Sequence, residues 1–361
     1  MASIDVAEQT TIIPARIQRG QDTYAGRLDA WHMLGIVTGT FQTWREMVEA
    51  AKADFYVFKS QLQDGLGRPV DAWGTFRWDL ADKAKGDKTA SKFLGTVGSD
   101  YQVIQHTAGF DLLDALVGQI DGAHYETMGV LDFGRVVWGQ VDTSVSIRVG
   151  DDVSNILLTF HTSHDGSRAF DIYETSLRVV CRNTLRAGSL NRLAATLRVR
   201  HTKSAPARIK GMQAEIQELN KTAMAMQDKL IALSERRVVK DTVKSLFERL
   251  FPRPKTEDGT PKESTRRDNI LASILERYES NDSNAFPEQR GTALNLLNAV
   301  TEWTDHDRGT EPEAAVFGSG DRLKSLSLEW LIDNAGKMPL MPVAQASIPV
   351  ADFASIGLNV A

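Results

Sequence analysis

NILLTFHTSHDGSRAFDIYETSLRVVCRNTLRAG, residues 155–188, is the stretch whose reading decides the fold. NILLTFHT and SRAFDIYE are rich in β-branched and aromatic residues. They flank Ser163-His164-Asp165-Gly166, where Asp-Gly supplies the positive φ of a hairpin turn. Alternation puts Ala169, Asp171 and Tyr173 on one side of the second strand and Phe170 and Ile172 on the other. Tyr173 is the exposed candidate and Phe170 the core one. Thr175 to Ala187 then reads as a helix, with Thr175 as its cap and Gly188 as its stop. On that helix Arg178, Arg182 and Arg186 stack at i, i+4 and i+8, opposite Leu177, Val180, Cys181, Thr184 and Leu185.

Upstream, HYETMGVL and RVVWGQVD surround Asp132-Phe133-Gly134 and predict another strand pair. DFYVFKSQL and VDAWGTFRWDL flank GLGRP and predict a third. Tyr101 to Gln105 reads as a strand, and Ala108 to Ile120 as a helix. Thr43 to Ala53 reads as a helix with Thr43 and Glu46 at the spacing of a capping box. Downstream, Met212, Ile216, Leu219, Ala223, Met226, Leu230 and Leu233 follow a heptad seam. That seam predicts either a coiled coil between subunits or a helical hairpin with Val243, Leu246, Phe247 and Leu250. Arg266 to Tyr278 and Gly291 to Trp303 are helical in pattern, and the Pro-broken segment from Lys337 ends as an arm.

The fold class expected is α+β: an antiparallel sheet with packed helices, strands followed by a basic helix, then a mainly helical C-terminal part. The expected boundaries are a core over 1–205, an amphipathic hairpin or coiled-coil segment over 206–252, a linker over 253–264 and a helical region with its tail over 265–361.

The formal net charge of −5 argues against a nucleic-acid partner, but charge is unevenly spread. Residues 176–210 hold no Asp or Glu, yet hold Arg178, Arg182, Arg186, Arg192, Arg198, Arg200, Lys203, Arg208 and Lys210. That segment carries +9, leaving −14 for the rest of the chain. Salt screens charges beyond roughly 8 Å, so local charge decides where a polyanion docks. Arginine suits phosphate by its bidentate geometry and bases by its stacking plane. The predicted partner is therefore single-stranded nucleic acid, held by Arg178, Arg182, Arg186, Arg192, Arg198, Arg200 and Lys203. Tyr173 is the stacking residue, with Trp138, Phe160 and Phe170 as further strand aromatics beside it.

Cys181 is the only cysteine, so no internal disulfide is possible. The N-terminal MASIDVAEQTTIIPAR has no secretory pattern, and no apolar run nears the roughly 20 residues of a membrane span. A cytoplasmic homo-oligomer without a membrane partner is expected. No phosphate-cradling loop, dinucleotide fingerprint, nucleophile elbow or zincin motif is present, so neither a catalytic residue nor a cofactor is assigned. Two alternatives stay open: a metal-dependent nuclease built from His161/His164 and Asp305/His306, and a self-assembling structural or regulatory protein.

YQVIQH, ETMGVLDFGRVVWGQ, LLTFHTSHDGSRAFDIYETSLRVVCRNTLRAG, RHT and LNAVTEWTDHDR together resemble the phage/plasmid-like protein family, a domain of unknown function (DUF nine-three-two). The resemblance runs from Trp31-His32 to beyond Arg308, implies a phage or plasmid origin and implies no activity. By element order and charge alone, the chain is also similar to the Rad fifty-two superfamily of single-strand annealing recombinases. That likeness implies an oligomeric ring with a basic groove, and transfers no residue.

Overall fold

The computed structural model describes residues 23–26, 43–86, 90–118, 120, 122–178, 184–186, 197–216, 219–279, 286–308 and 318–341. The fold is α+β, with two antiparallel sheets and a mainly helical C-terminal part. The larger sheet has the order β1 (Thr23–Gly26), β5 (His124–Leu131), β6 (Val136–Val149), β7 (Asp152–Ser163) and β8 (Phe170–Arg178). Both β9 (Thr184–Arg186) and β10 (Leu197–Val199) pair with β8. The smaller sheet is β2 (Phe55–Gln63), β3 (Pro69–Asp79) and β4 (Lys92–Val97).

The turns have the chemistry their residues dictate. In the β2–β3 hairpin, Asp64 Oδ1 accepts the backbone N–H of Leu66 and of Arg68, each at 2.9 Å, and Gly67 takes φ +77°. Asp165 Oδ1 accepts the N–H of Ser167 while Gly166 takes φ +81°. Between β5 and β6, Asp132, Phe133 and Gly134 all have positive φ, which is costly for the first two.

One helix, α1 (Trp44–Ala50), starts with the expected capping box between Thr43 and Glu46, and buries Met47 and Val48. Next come α2 (Leu80–Ala84) and α3 (Thr107–Val117). Phe110 and Leu113 of α3 are buried with Val137, Val141, Leu158, Phe160, Phe170 and Ile172, residues of one sheet face. The contact is close because glycine stands on both sides of it: a Cβ at Gly109 would lie 2.4 Å from Phe160, and one at Gly139 2.8 Å from Phe110.

Two local expectations are corrected. Tyr101 to Gln105 is irregular, and the Gln105 side chain replaces a strand's ladder: its Nε2 donates to the Val57 carbonyl at 2.7 Å and its Oε1 accepts the Val57 N–H at 3.0 Å. Thr175 does not begin a helix. Strand β8 runs on to Arg178, and Thr175, Ser176 and Leu177 pair with Arg186, Leu185 and Thr184 of β9. A helix would stack three like charges at four-residue spacing, which is unfavourable; sheet pairing removes that stack and gives the β8 edge a partner.

The chain divides into two compact units that interleave along the sequence. One comprises Met1–Val145, Ile156–Glu174 and Ala195–Asn220; the other comprises Ser146–Asn155, Thr175–Ala194 and Lys221–Ala361. The first also holds α4 (Ala205–Ile216). The second holds most of α5 (Leu219–Ser234), then α6 (Lys240–Leu250), α7 (Thr265–Glu279), α8 (Ala293–Glu302) and α9 (Ser319–Asn334). Met226, Leu230 and Leu233, the described half of the heptad seam, are buried within this chain, as are Val243, Leu246 and Phe247. The side chains of Met212 to Ala223 and the arm after Met341 lie outside the described residues.

Candidate nucleic-acid interface

The residues singled out from charge fare unequally. Arg182 and Arg192 lie outside the described residues, as do the side chains of Arg178 and Arg186, whose backbones belong to β8 and β9. Arg198 on β10 sits opposite Asp171 of β8 and binds it bidentately, with Nε and Nη2 each 2.8 Å from a carboxylate oxygen. Asp171 is almost fully buried, and its hydrogen bonds hold the Arg198 guanidinium above its ordinary pKa. This arginine therefore neutralises an internal carboxylate, with His161 Nε2 3.6 Å from the same group. Arg200, Arg208 and Lys210 are exposed. Lys203 is 85% exposed and 3.6 Å from the equally open Asp100, a surface pair that contributes little and leaves the ammonium accessible.

Tyr173 shares a side with Asp171 as alternation requires, but that side is buried, and Tyr173 is only 2% exposed with its ring edge-on to His161. Trp138, Phe160 and Phe170 have no exposure at all. Tyr173, Trp138, Phe160 and Phe170 are therefore core residues, and none of these four offers a stacking surface.

The aromatic surface lies instead on the smaller sheet, at residues the sequence reading did not single out. Alternation turns Phe55 and Val57 of β2 inward and leaves Tyr56 and Phe58 half-buried on the other side. Tyr56 faces Trp78 and Phe58 faces Phe76 across β2–β3, and Phe76 faces Phe93 across β3–β4. Phe58 and Phe76 stack at 5.4 Å, Trp78 meets Phe58 edge-on at 5.8 Å, and Phe93, 48% exposed, meets Phe76 edge-on at 5.6 Å. Lys83 Nζ lies 3.7 Å from the centre of the Tyr56 ring. The signal was present in DFYVFKSQL, TFRWDL and KFLG as aromatics at alternate positions.

The chain after β4 joins this sheet to the basic run. Lys59 Nζ donates to the carbonyls of Ser99 and Tyr101, both at 2.7 Å. The Gln102 N–H donates to the His201 carbonyl at 2.9 Å, and the Tyr101 ring stacks on His201 at 4.7 Å. Arg200 and Lys203 are thereby tied to the end of β4.

In the second unit, Phe251, Pro252, Pro254, Ser264, Arg266, Arg267, Asn269, Ile270, Trp303 and Arg308 line an open cleft. Arg267 is tied to Glu248 at 2.7 Å and to the Phe251 carbonyl at 2.6 Å. Arg308 Nη1 is buried without a hydrogen-bond partner; desolvation and then the charge of Arg266 hold its pKa down. Among the described residues no carboxylate pairs with Arg266 or Arg308, an arrangement beside Trp303 that suits an anion.

His161, His164 and Asp305, weighed above as ligands of an alternative metal site, each have another partner. On β7, alternation sets His161 beside Asp171, whereas His164, just past the strand end, is buried against His106, with His106 Nδ1 3.2 Å from His164 Nε2. The Asp305 side chain is fully buried and bound to Lys324 Nζ at 2.6 Å. Among the described residues no helix is long and apolar enough to cross a membrane.

No curated protein and no solved structure matches the chain, so the likeness to single-strand annealing recombinases gains no support. The family model described as Domain of unknown function (DUF932) matches residues 93–326, from β4 into α9. That match covers well over half of the chain, which therefore belongs to this family.

Proposed function

We propose that this protein binds single-stranded nucleic acid, with bases on the aromatic side of the smaller sheet and phosphates on Arg200, Lys203, Arg208 and Lys210. The observation that carries the reading is the partly open row of Phe58, Phe76, Trp78 and Phe93 across three antiparallel strands, tied at the β4 end to an acid-free run of exposed cations. Flat aromatic rings hold any base by its face, at about 1–3 kcal/mol per stacked base, and the adjoining cations track the backbone. The arginine cleft around Arg308 adds a second place for phosphate. A strand held by base faces and phosphates keeps its pairing edges free, which is what annealing to a complement requires. The role is thus a binding and annealing one, carried out by a homo-oligomer without a cofactor.

The test is binding of labelled single- and double-stranded oligonucleotides across a salt series, for the wild type, Phe58→Ala/Phe93→Ala and Arg200→Ala/Lys203→Ala. Single strands should bind more tightly. The aromatic variant should weaken binding about ten- to a hundredfold at every salt concentration. The basic variant should lower the slope of log K against log salt by roughly 0.7 per lost phosphate contact. No affinity for single strands at low salt, or wild-type affinity in both variants, would sink the proposal. Annealing of complementary strands and sedimentation of the complex then read out the finer role.

A further inference from the structure

His124, Glu126 and Asp142 stand together on β5 and β6. His124 and Asp142 are direct partners across the two strands, and Glu126 falls where the register shifts between Tyr125 and Thr127. Each contributes one ligand-type atom, and these atoms all lie within 4.8 Å of one another. His124 Nε2 is 3.6 Å from Glu126 Oε2. The carboxylates are buried, at 5% exposure for Glu126 and 8% for Asp142.

The surroundings orient these groups as ligands. His124 Nδ1 donates to the Gly122 carbonyl at 3.1 Å, so Nε2 is the nitrogen turned towards Glu126. That Nε2 is shielded from solvent and makes no hydrogen bond. Asp142 Oδ1 accepts the Ser144 N–H at 2.7 Å, and the Ser144 hydroxyl donates to the same Gly122 carbonyl at 2.6 Å. Ser144 takes the left-handed φ of +57°, a conformation unfavourable for a non-glycine residue, at the point where it contacts both Asp142 and the Gly122 carbonyl. One imidazole nitrogen and two carboxylates, held this close and largely away from solvent, form a donor set of the kind that binds a divalent ion. An outer carbonyl that anchors the second ring nitrogen is the usual support of a metal-bound histidine.

We propose that His124 Nε2, Glu126 and Asp142 bind one divalent transition ion, Mn²⁺ or Zn²⁺, for which one imidazole and two carboxylates are a suitable donor set. The site is independent of the nucleic-acid reading, since none of its residues belongs to the aromatic or basic surface. An ion here would clamp the β5–β6 ladder at the bulge.

Full-length protein, stripped with a chelator and dialysed, would be titrated with Mn²⁺ and with Zn²⁺ by calorimetry, and the Mn²⁺ form examined by pulsed electron paramagnetic resonance. One ion per chain should bind, with nitrogen hyperfine coupling from a directly bound imidazole. His124→Gln should abolish that coupling, and His124→Gln and Asp142→Asn should each weaken binding at least tenfold while the circular dichroism spectrum is retained. If the variants do not fold, the wild-type spectrum decides: bound Mn²⁺ without nitrogen coupling overturns the proposal. So does failure to bind either ion, or unchanged affinity in His124→Gln.

Discussion

His106, His164 and Glu174 are buried titratable side chains of the first unit whose ionisation sets a pH dependence. Burial holds the His106 imidazole down at about 4, and His164 lies well below its ordinary value through burial and the charge of His106. His106 Nε2 donates to the Ala53 carbonyl at 2.7 Å, so its Nδ1 accepts from His164 Nε2, and both rings are neutral. Their folded pKa lies below the unfolded 6.5, so their contribution is complete above that pH and lost as pH falls from 6.5 towards 4. Glu174 runs the other way. Burial raises its carboxyl from 4.5 to about 8, so its contribution is complete below 4.5 and lost as pH rises towards 8. These groups together place the stability maximum near neutrality and make both limbs steep. Glu174→Gln should remove the loss that accumulates between pH 4.5 and 8, raising stability at pH 8 relative to pH 5 by on the order of 3 kcal/mol in urea unfolding. An equal change at both pH values would show that Glu174 is ionised in the folded state.

Between elements, the ion pair joining the turn after α8 to α9 carries more than any single cap. The Lys324 side chain is 2% exposed and that of Asp305 fully buried, 2.6 Å apart. Removing the carboxylate takes a charged partner away from an ammonium that is itself only 2% exposed. Asp305→Ala should therefore cost roughly 3–5 kcal/mol, read as a large fall in the urea midpoint, whereas Asp305→Ala/Lys324→Met should recover much of it. A single variant as stable as the wild type would mean that Lys324 finds another anion. The same pair explains why WTDHD resembles a metal-ligand run in sequence: the acid is there for a lysine 19 residues later.

At the scale of the whole molecule, the second unit is not a continuous piece of chain. Its chain after Lys221 exchanges hydrogen bonds with the tip of the β6–β7 hairpin: the Arg148 N–H donates to Gln227 Oε1 at 2.8 Å, and Gln289 Nε2 donates to the Val149 carbonyl at 3.3 Å and to Asp152 Oδ2 at 3.1 Å. A fragment of residues 221–361 lacks those partners and the apolar Ile147 and Val149. It should show no cooperative thermal transition, whereas the full chain should. A fragment that melts cooperatively at the full-length temperature would contradict this.

Local chemistry alone determined much of the fold. The Asp-Gly and Gly-Leu-Gly turns, the Thr43–Glu46 capping box and the period-two strands are satisfied by neighbours in the chain, so their reading needed nothing distant. The acid-free basic run was likewise legible as composition. Three matters were decided only by tertiary structure. Residues 175–178 are strand because β9 pairs with them there, and pairing partners override a weak helical pattern. Alternation separates two sides of a strand but does not say which is covered, so Tyr173 is buried while Phe58, Phe76 and Phe93 form the open surface. Charge counts do not reveal pairing: Arg198 serves Asp171 and Lys324 serves Asp305, while His124, Glu126 and Asp142 meet only because strand register places them side by side.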